Sequence, residues 1–432
     1  MLGQSLMLIH TGRAPTRSLL TSALGVTRAT AGTLVSDLQA LGLIRVDDAG
    51  PGNGQQGRPS HRLSVAPDGP VAVAAEVDAD GYRVALVGLG AQVIAAESGR
   101  GGLAADPGRA LAEVAETAAR LVATAGRPCV GAGLSITSAV ASPDGTLVGS
   151  LYTGWPDGTP ARDLLAGQLL LAGVTGPGGR GLRCSVANDV NCAALAEYRH
   201  GAGRGASHLL MLATGARGVG GALVLDGRLY TGSTGLGMEA GHISVDLGGR
   251  PCPCGSRGCL EVEADAWRFL ELACDSAAAG DGAAVRGASA WGSAIKDSAI
   301  KDSASGVAAG AAVAAVAGGT GHDRAISLLR SRYSQDPGVR AAAGAVVVRL
   351  GAGLAGLVNV LNPDRVLLGG LYGHLLAADP AGLRAAVAER GPWGRAAGVP
   401  LLSAALADGA LLGAAEIAWQ PVLDNPGILE MD

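Results

Sequence analysis

One histidine and three cysteines crowd residues 239–261, which read EAGHISVDLGGRPCPCGSRGCLE. Nine residues separate His242 from Cys252, one separates Cys252 from Cys254, and four separate Cys254 from Cys259. One imidazole and three thiolates complete the ligand set of a tetrahedral zinc ion and leave no open position for water, so the expected metal is structural rather than catalytic. Gly248, Gly249, Gly255 and Gly258 suit a chain wrapped tightly about an ion. The competing reading is a glycine-rich loop holding buried free thiols, since an unpaired cysteine is a small core residue. Disulfide pairing is the weaker reading. The seven cysteines are an odd number, and no charged segment followed by an apolar run opens the chain, so a cytoplasmic location is expected.

At 432 residues the chain is too long for one core and predicts two or three domains. Its 48% apolar content raises the question of a membrane, but much of that fraction is small side chains. The richest run, residues 306–319, falls short of the roughly 20 residues a spanning helix needs, so no membrane partner is expected. The net charge of −4 does not point to nucleic acid, whereas its distribution does. Residues 1–66 carry Arg13, Arg17, Arg28, Arg45, Arg58 and Arg62 against Asp37, Asp47 and Asp48, a net of +3 in a chain otherwise acidic.

Within that basic stretch the periodicity predicts helices over 2–10, 16–24 and 27–40, with Gly25 as a turn, Thr27 as a cap, and Leu34, Leu38 and Leu41 buried. Two short helices about a glycine turn form a helix-turn-helix, whose second helix enters the major groove and places Arg28, Thr30 and Thr33 outward near its start. Residues 43–47 and 61–65 read as the strands of a wing. Between them Gly57, Arg58 and Pro59 form a compact basic element that suits a minor groove. A helical packing module with a solvated linker is the plainer alternative.

From Val71 the stretch VAVAAEVDADGYRVALVGL predicts two strands joined at Asp80 and Gly81, with Asp78 at the mouth of the turn. A helix over 109–125 and a strand over 130–136 follow, then a loop over 150–160 in which Trp155 is either a ligand platform or a packed lid. A strand over 182–186 and a helix over 193–200 put Asn188, Asp189 and Asn191 at a strand-to-helix junction, where open α/β sheets gather ligand groups. There Asp189 can accept a proton and Asn188 can orient a hydroxyl, with helix capping as the competing role. Beyond a strand at 208–214 a glycine-rich turn lacks the lysine and hydroxyl of a P-loop. The pentapeptide SAIKD occurs twice within residues 293–302, as a tolerated surface insertion would. The rest reads as a long apolar helix over 341–360, a strand over 365–368, and helices over 383–389 and 409–419.

These residues resemble the ROK family of sugar kinases and sugar-responsive repressors, and specifically its transcriptional-regulator branch, which includes xylose and N-acetylglucosamine repressors. The resemblance spans nearly the whole chain. Its most specific parts are ExGH, from Glu239 to His242, and CxCGxxGCxE, from Cys252 to Glu261. It implies an α/β chain with an N-terminal winged helix-turn-helix and basic linker over 1–66, followed by a two-lobed, actin-like (ribonuclease H-like) ATPase-type fold. The first lobe would cover 70–190 and the second 191–432, with the zinc loop at 239–261, the C-terminal helices returning to the first lobe, and a sugar site in the cleft between the lobes. Asn188 and Asp189 match the NDxN motif that holds sugar hydroxyls, Asp189 at the position of the kinase base. Glu239, His242 and Glu261 match the remaining sugar contacts, and His242 joins metal to ligand. Arg28 to Thr33 match the recognition helix, and Arg58 the DNA-contacting linker.

Departures from the family pattern separate its two branches. The phosphate loop DxGGT is replaced by Asp78, Ala79, Asp80, Gly81 and Tyr82, which sets a carboxylate where glycine admits phosphate. Arg217 stands where the kinases have threonine, and Thr137 and Ser138 replace a proline-glycine pair. These changes argue against ATP as a cofactor and for a sugar-responsive repressor, a homodimer or dimer of dimers on a palindromic operator. An ATP-dependent sugar kinase using Asp189, and a regulator that has lost its sugar response, are the alternatives.

Overall fold

In the strand Val71–Val77 (β3) every side chain but Glu76 is buried apolar, because the strand is covered on both faces. Its alternation sorts them. Val71, Val73, Ala75 and Val77 enter one core, and Ala72 and Ala74 enter another. The computed structural model describes residues 1–47, 61–78, 80–100, 106–149, 153–215, 218–280, 320–390 and 398–429. Arg58 with its neighbours Gly57 and Pro59, the SAIKD repeat, the apolar run 306–319, Ala79, Ser150 and Arg217 lie outside them.

β3 pairs antiparallel with Gly81–Gly88 (β4), which pairs antiparallel with Gln92–Arg100 (β5). On its other side β3 runs parallel to Cys129–Ile136 (β6), and β6 to Cys184–Asn188 (β9), giving the order β5-β4-β3-β6-β9. A short hairpin, Ala139–Val140 (β7) with Leu147–Val148 (β8), follows β6. The first core packs the sheet against Pro107–Ala125 (α4) and Ala161–Leu171 (α5) and takes in Trp155, which is a packed side chain.

The N-terminal residues fold as Leu2–His10 (α1), Arg17–Leu24 (α2) and Arg28–Ala40 (α3), then the antiparallel pair Ile44–Asp47 (β1) and Arg62–Val65 (β2). Thr16 and Thr27 cap α2 and α3 through their hydroxyls, and Gly25 adopts the left-handed turn between the two helices. The inward face of α3 is Ala31, Val35 and Leu38, so Leu38 is buried as expected, whereas Leu34 and Leu41 are half-buried. These elements have no core of their own. Leu6, Ile9, Leu20, Val35, Leu38 and Leu43 are continuous with the second face of the sheet and with Leu411, Ala414, Ala418, Trp419 and Val422 of the C-terminal helix Gly409–Asp424 (α13).

After β9 come Asp189–His200 (α6), His208–Thr214 (β10), Val219–Leu225 (β11), in a stretch read from sequence only as a glycine-rich turn, and Arg228–Leu229 (β12). Leu260–Ala264 (α7), Ala266–Gly280 (α8), Gly321–Arg332 (α9) and Pro337–Leu361 (α10) lead to Arg365–Gly369 (β13), Leu371–Ala378 (α11), Pro380–Ala388 (α12) and Leu401–Ser403 (β14). The second sheet has the order β12-β11-β10-β13-β14. α10 is apolar and long enough to cross a membrane. Its buried side chains and Gly351, against Ala386 of α12, mark it as a helix packed within the protein.

By contacts the chain forms two units. One comprises Met1–Met211, Gly221–Glu239 and Ala404–Asp432, and the other Leu212–Gly220 and Ala240–Ser403.

Candidate functional site

Cys259 ends the loop that opens at His242 and is the residue on which α7 begins. The loop is pinned by Val245 N–H to Gly258 C=O (2.8 Å), Gly258 N–H to Arg250 C=O (2.7 Å) and Cys252 N–H to Ser256 C=O (2.9 Å). Gly258 is needed for close approach, since a Cβ there would lie 1.6 Å from the Asp246 carbonyl oxygen at a φ of +64°. Arg250 fastens the loop to the following helices, its N–H on Glu263 (2.7 Å) and its guanidinium on Glu271 (2.6 and 3.1 Å).

This folding gathers one donor atom each from His242, Cys252, Cys254 and Cys259 within 4.8 Å of one another, a group that can hold a metal ion. Cys252 Sγ lies 3.7 Å from His242 Nδ1, and Cys254 Sγ lies 3.7 Å from Cys259 Sγ. The edge of a tetrahedron of sulfurs about zinc is about 3.8 Å, and the Cys254–Cys259 separation matches it. With Nδ1 turned to the thiols, Nε2 of His242 faces the buried Glu261 carboxylate at 4.0 Å, longer than a hydrogen bond. All seven cysteines are free thiols.

Asn188 and Asp189 belong to the other unit. Strand β9 runs two residues further than its sequence suggested, and α6 starts at Asp189 rather than at 193, so Asn188 is the last strand residue and also the helix cap. Asn188 Oδ1 accepts from the N–H groups of Val190 (2.9 Å) and Asn191 (3.3 Å), and its amide donates to the Ser138 carbonyl (3.3 Å). Asp189 accepts from the Thr137 hydroxyl (3.0 Å) and from the Val190 N–H (2.8 Å). Burial raises the Asp189 carboxyl above its ordinary range against the lowering effect of these donors, as suits a group that takes a proton. Glu239 is exposed at the end of the same unit.

Sequence reasoning missed Glu76. Its carboxyl is pushed up to about 7, chiefly by burial, with the Arg83 guanidinium lowering it and Asp189, Asp78 and Asp408 raising it. Arg83 joins Glu76 (3.5 Å) to Asp408 (2.7 Å). The available signal was one acidic residue in an otherwise apolar strand. Beside it, the turn from Asp78 to Gly81 is closed on itself. Asp78 Oδ1 accepts the N–H groups of Asp80 (2.8 Å) and Gly81 (2.9 Å), and the Asp78 N–H donates to the Gly81 carbonyl (3.1 Å). Donors that a phosphate loop aims at its ligand are spent here on a carboxylate. Tyr82 turns away, its hydroxyl 3.2 Å from that of Thr117.

Arg28, Thr30 and Thr33 are all exposed on the first turns of α3. The Thr30 N–H is held by the Thr27 hydroxyl (3.2 Å).

Residues 180–267 match the sequence profile of the ROK family, and the chain carries a ROK family domain. It is 36% identical over 145 residues to a glucokinase from Halalkalibacterium halodurans, a stretch covering 33% of this chain and 40% of that one. It is 25% identical over 240 residues to a protein named as a xylose repressor from a Caldicellulosiruptor species, covering 56% of this chain and 50% of the relative. The chain thus spans half or less of either relative. The crystal structure of a ROK family transcriptional regulator, described as a homologue of the E. coli MLC protein, superposes with a TM-score of 0.72 over 100% of this chain and 97% of that one, at 20% identity. The architecture is therefore mixed α/β, the two-sheet, kinase-like ROK type.

Proposed function

We propose that the chain is a sugar-responsive DNA-binding regulator, a repressor whose operator affinity changes when a sugar or sugar phosphate binds. The observation that carries this reading is the turn from Asp78 to Gly81. The N–H groups of Asp80 and Gly81 are bound to the Asp78 carboxylate, so they are not offered to a nucleotide phosphate, and that carboxylate's charge opposes one. The polar groups suited to hydroxyls, Asn188 and Asp189, are retained, and Glu239, His242 and Glu261 are proposed as the further sugar contacts. Zinc on His242, Cys252, Cys254 and Cys259 fixes the imidazole ring and has no reacting role. Helices α1 to α3 with β1 and β2 serve as a winged helix-turn-helix presenting Arg28, Thr30 and Thr33 to operator DNA, with Arg58 in the linker, and a homodimer sets two such helices on a palindrome. A sugar changes DNA affinity only by binding the two arrangements of the protein unequally.

The raised carboxyl of Asp189 and the likeness to a glucokinase favour a sugar kinase as the second reading. Titration calorimetry of the zinc-loaded protein against glucose, xylose and N-acetylglucosamine, with and without ATP, separates the two. Sugar binding without ATP binding, together with a sugar-dependent shift in operator affinity, is the expected result. ADP production that depends on sugar and is abolished by Asp189→Asn would establish the kinase instead.

A further inference from the structure

Glu416 is a carboxylate with no exposed side-chain surface in the middle of the largely apolar α13, and the neighbouring His10 and Arg199 hold it well below the ordinary carboxylate range despite burial. Its oxygens are fully engaged. Oε2 accepts from His10 Nε2 (2.9 Å) and Arg199 Nη1 (2.6 Å), and Oε1 accepts from His200 Nε2 (2.9 Å). His10 Nδ1 accepts the Gly90 N–H (2.9 Å), which puts the histidine's proton on the nitrogen facing Glu416. Arg199 also donates to Gln420 Oε1. His10, His200 and Glu416 have the spacing of a metal site, but the Arg199 cation on the same carboxylate opposes a second cation there.

The three donors come from two elements. Arg199 and His200 end α6, the helix of 12 residues, about 18 Å long, that opens at Asp189. His10 ends α1, the first of the N-terminal helices. α1 lies antiparallel along the second half of α13, and at its other end Gly3 sits so close that a Cβ would fall 2.5 Å from the carbonyl oxygens of Leu423 and Asp424. The same C-terminal end of α6 is also fixed by Glu197, which accepts from Ala202 (2.7 Å), Ala405 (2.6 Å) and Leu406 (2.6 Å).

We propose that His10, Glu416 and Arg199 are positioning residues that couple the Asn188–Asp189 end of α6 to the N-terminal helices, an inference that rests on the sugar-responsive reading above. The cluster is asymmetric in a way that suits a latch. If α1 shifts, Glu416 keeps Arg199 and His200, so no buried charge is stranded. The polar contacts given up are the pairing to His10 and the hydrogen bond from Gly90. A purely apolar contact would dock α1 as firmly but without fixing one register.

The test is amide hydrogen exchange on the full-length protein with and without saturating glucose, xylose or N-acetylglucosamine, in the wild type, His10→Leu and His10→Gln. The expected result is that a sugar slows exchange at 188–200 in all three proteins and changes exchange at 2–10 by roughly fivefold in the wild type. That second change should be absent in His10→Leu and recovered at least in part by His10→Gln, which keeps a donor for Glu416. An effect at 2–10 that is equal in the wild type and His10→Leu, or absent from the wild type while 188–200 responds, overturns the coupling and leaves the sugar reading intact. No response at 188–200 to any of the three sugars overturns the sugar reading and this inference with it.

Discussion

Glu76 is the residue at which chemistry and stability diverge. Its folded carboxyl is raised from 4.5 to about 7, mainly by burial. Between those values the folded chain keeps a proton that the unfolded chain has released, so stability falls as pH rises through that window and the cost is complete above it. Glu76→Gln keeps a hydrogen-bonding oxygen for Arg83 and removes the ionisation. The variant should match the wild type at pH 5 and exceed its unfolding free energy by roughly 2 kcal/mol at pH 8. Denaturant unfolding at the two pH values checks this, and a variant weaker at pH 8 would mean that the Arg83 pair outweighs desolvation. The four metal donors were legible in sequence because residue type and local spacing carry that chemistry. Glu76 was not, because Arg83, Asp189 and Asp408 reach it only through the folded sheet, and a lone acidic residue in an apolar strand does not say which groups surround it.

At the scale of elements, α13 is a hub rather than a cap. It presses on β6, where a Cβ at Gly133 would lie 1.9 Å from the Ala414 carbonyl oxygen, and on α6, where one at Gly413 would lie 1.9 Å from that of Cys192. Trp419 donates its indole N–H to the Val87 carbonyl (3.0 Å) beside a bulge in the β4–β5 pairing. Glu416→Gln leaves the buried Arg199 guanidinium without its counter-charge, with an expected loss of about 3–5 kcal/mol at neutral pH. Because the folded Glu416 carboxyl is depressed, its contribution is present above the ordinary carboxylate range and is lost as pH falls through the folded value. The gap between wild type and variant should therefore close in acid, and thermal melts between pH 7 and pH 3 measure it. Helices α2 and α3 could be read to within a residue because the capping Thr16 and Thr27 mark their starts and Gly25 the end of α2. The start of α6 could not, since the asparagine that caps it also completes β9, and strand and cap signals overlap on one residue. On α3, Ala31 and Val35 are buried while the larger Leu34 is half-buried, because position on the helix decides burial there rather than hydrophobicity.

For the whole molecule, the shared core decides how separable the N-terminal helices are. A DNA-binding module on a tether carries its own core and can be cut away without harm. Here Leu6, Ile9, Leu20 and Leu38 join Ala72, Ala74, Val87, Leu411, Trp419 and Val422 in one cluster that no local pattern in residues 1–66 announces. Sequence periodicity shows which residues of a helix face inward and is silent on what they face, so the boundary near 66 was visible as a change of composition while the continuity across it was not. Removing residues 1–66 uncovers one side of α13 and the apolar side chains it shares with α1. Burying a single large apolar side chain is worth about 1.5–3 kcal/mol, so losing cover over two or three of them costs on the order of 5 kcal/mol, comparable to the net stability of a domain. A chain of residues 67–432 should therefore melt well below the full-length protein and bind a hydrophobic dye before it melts. Equal melting temperatures with no dye binding would mean that the N-terminal helices rest on the core without supporting it, and that the latch at Glu416 joins two bodies each stable alone.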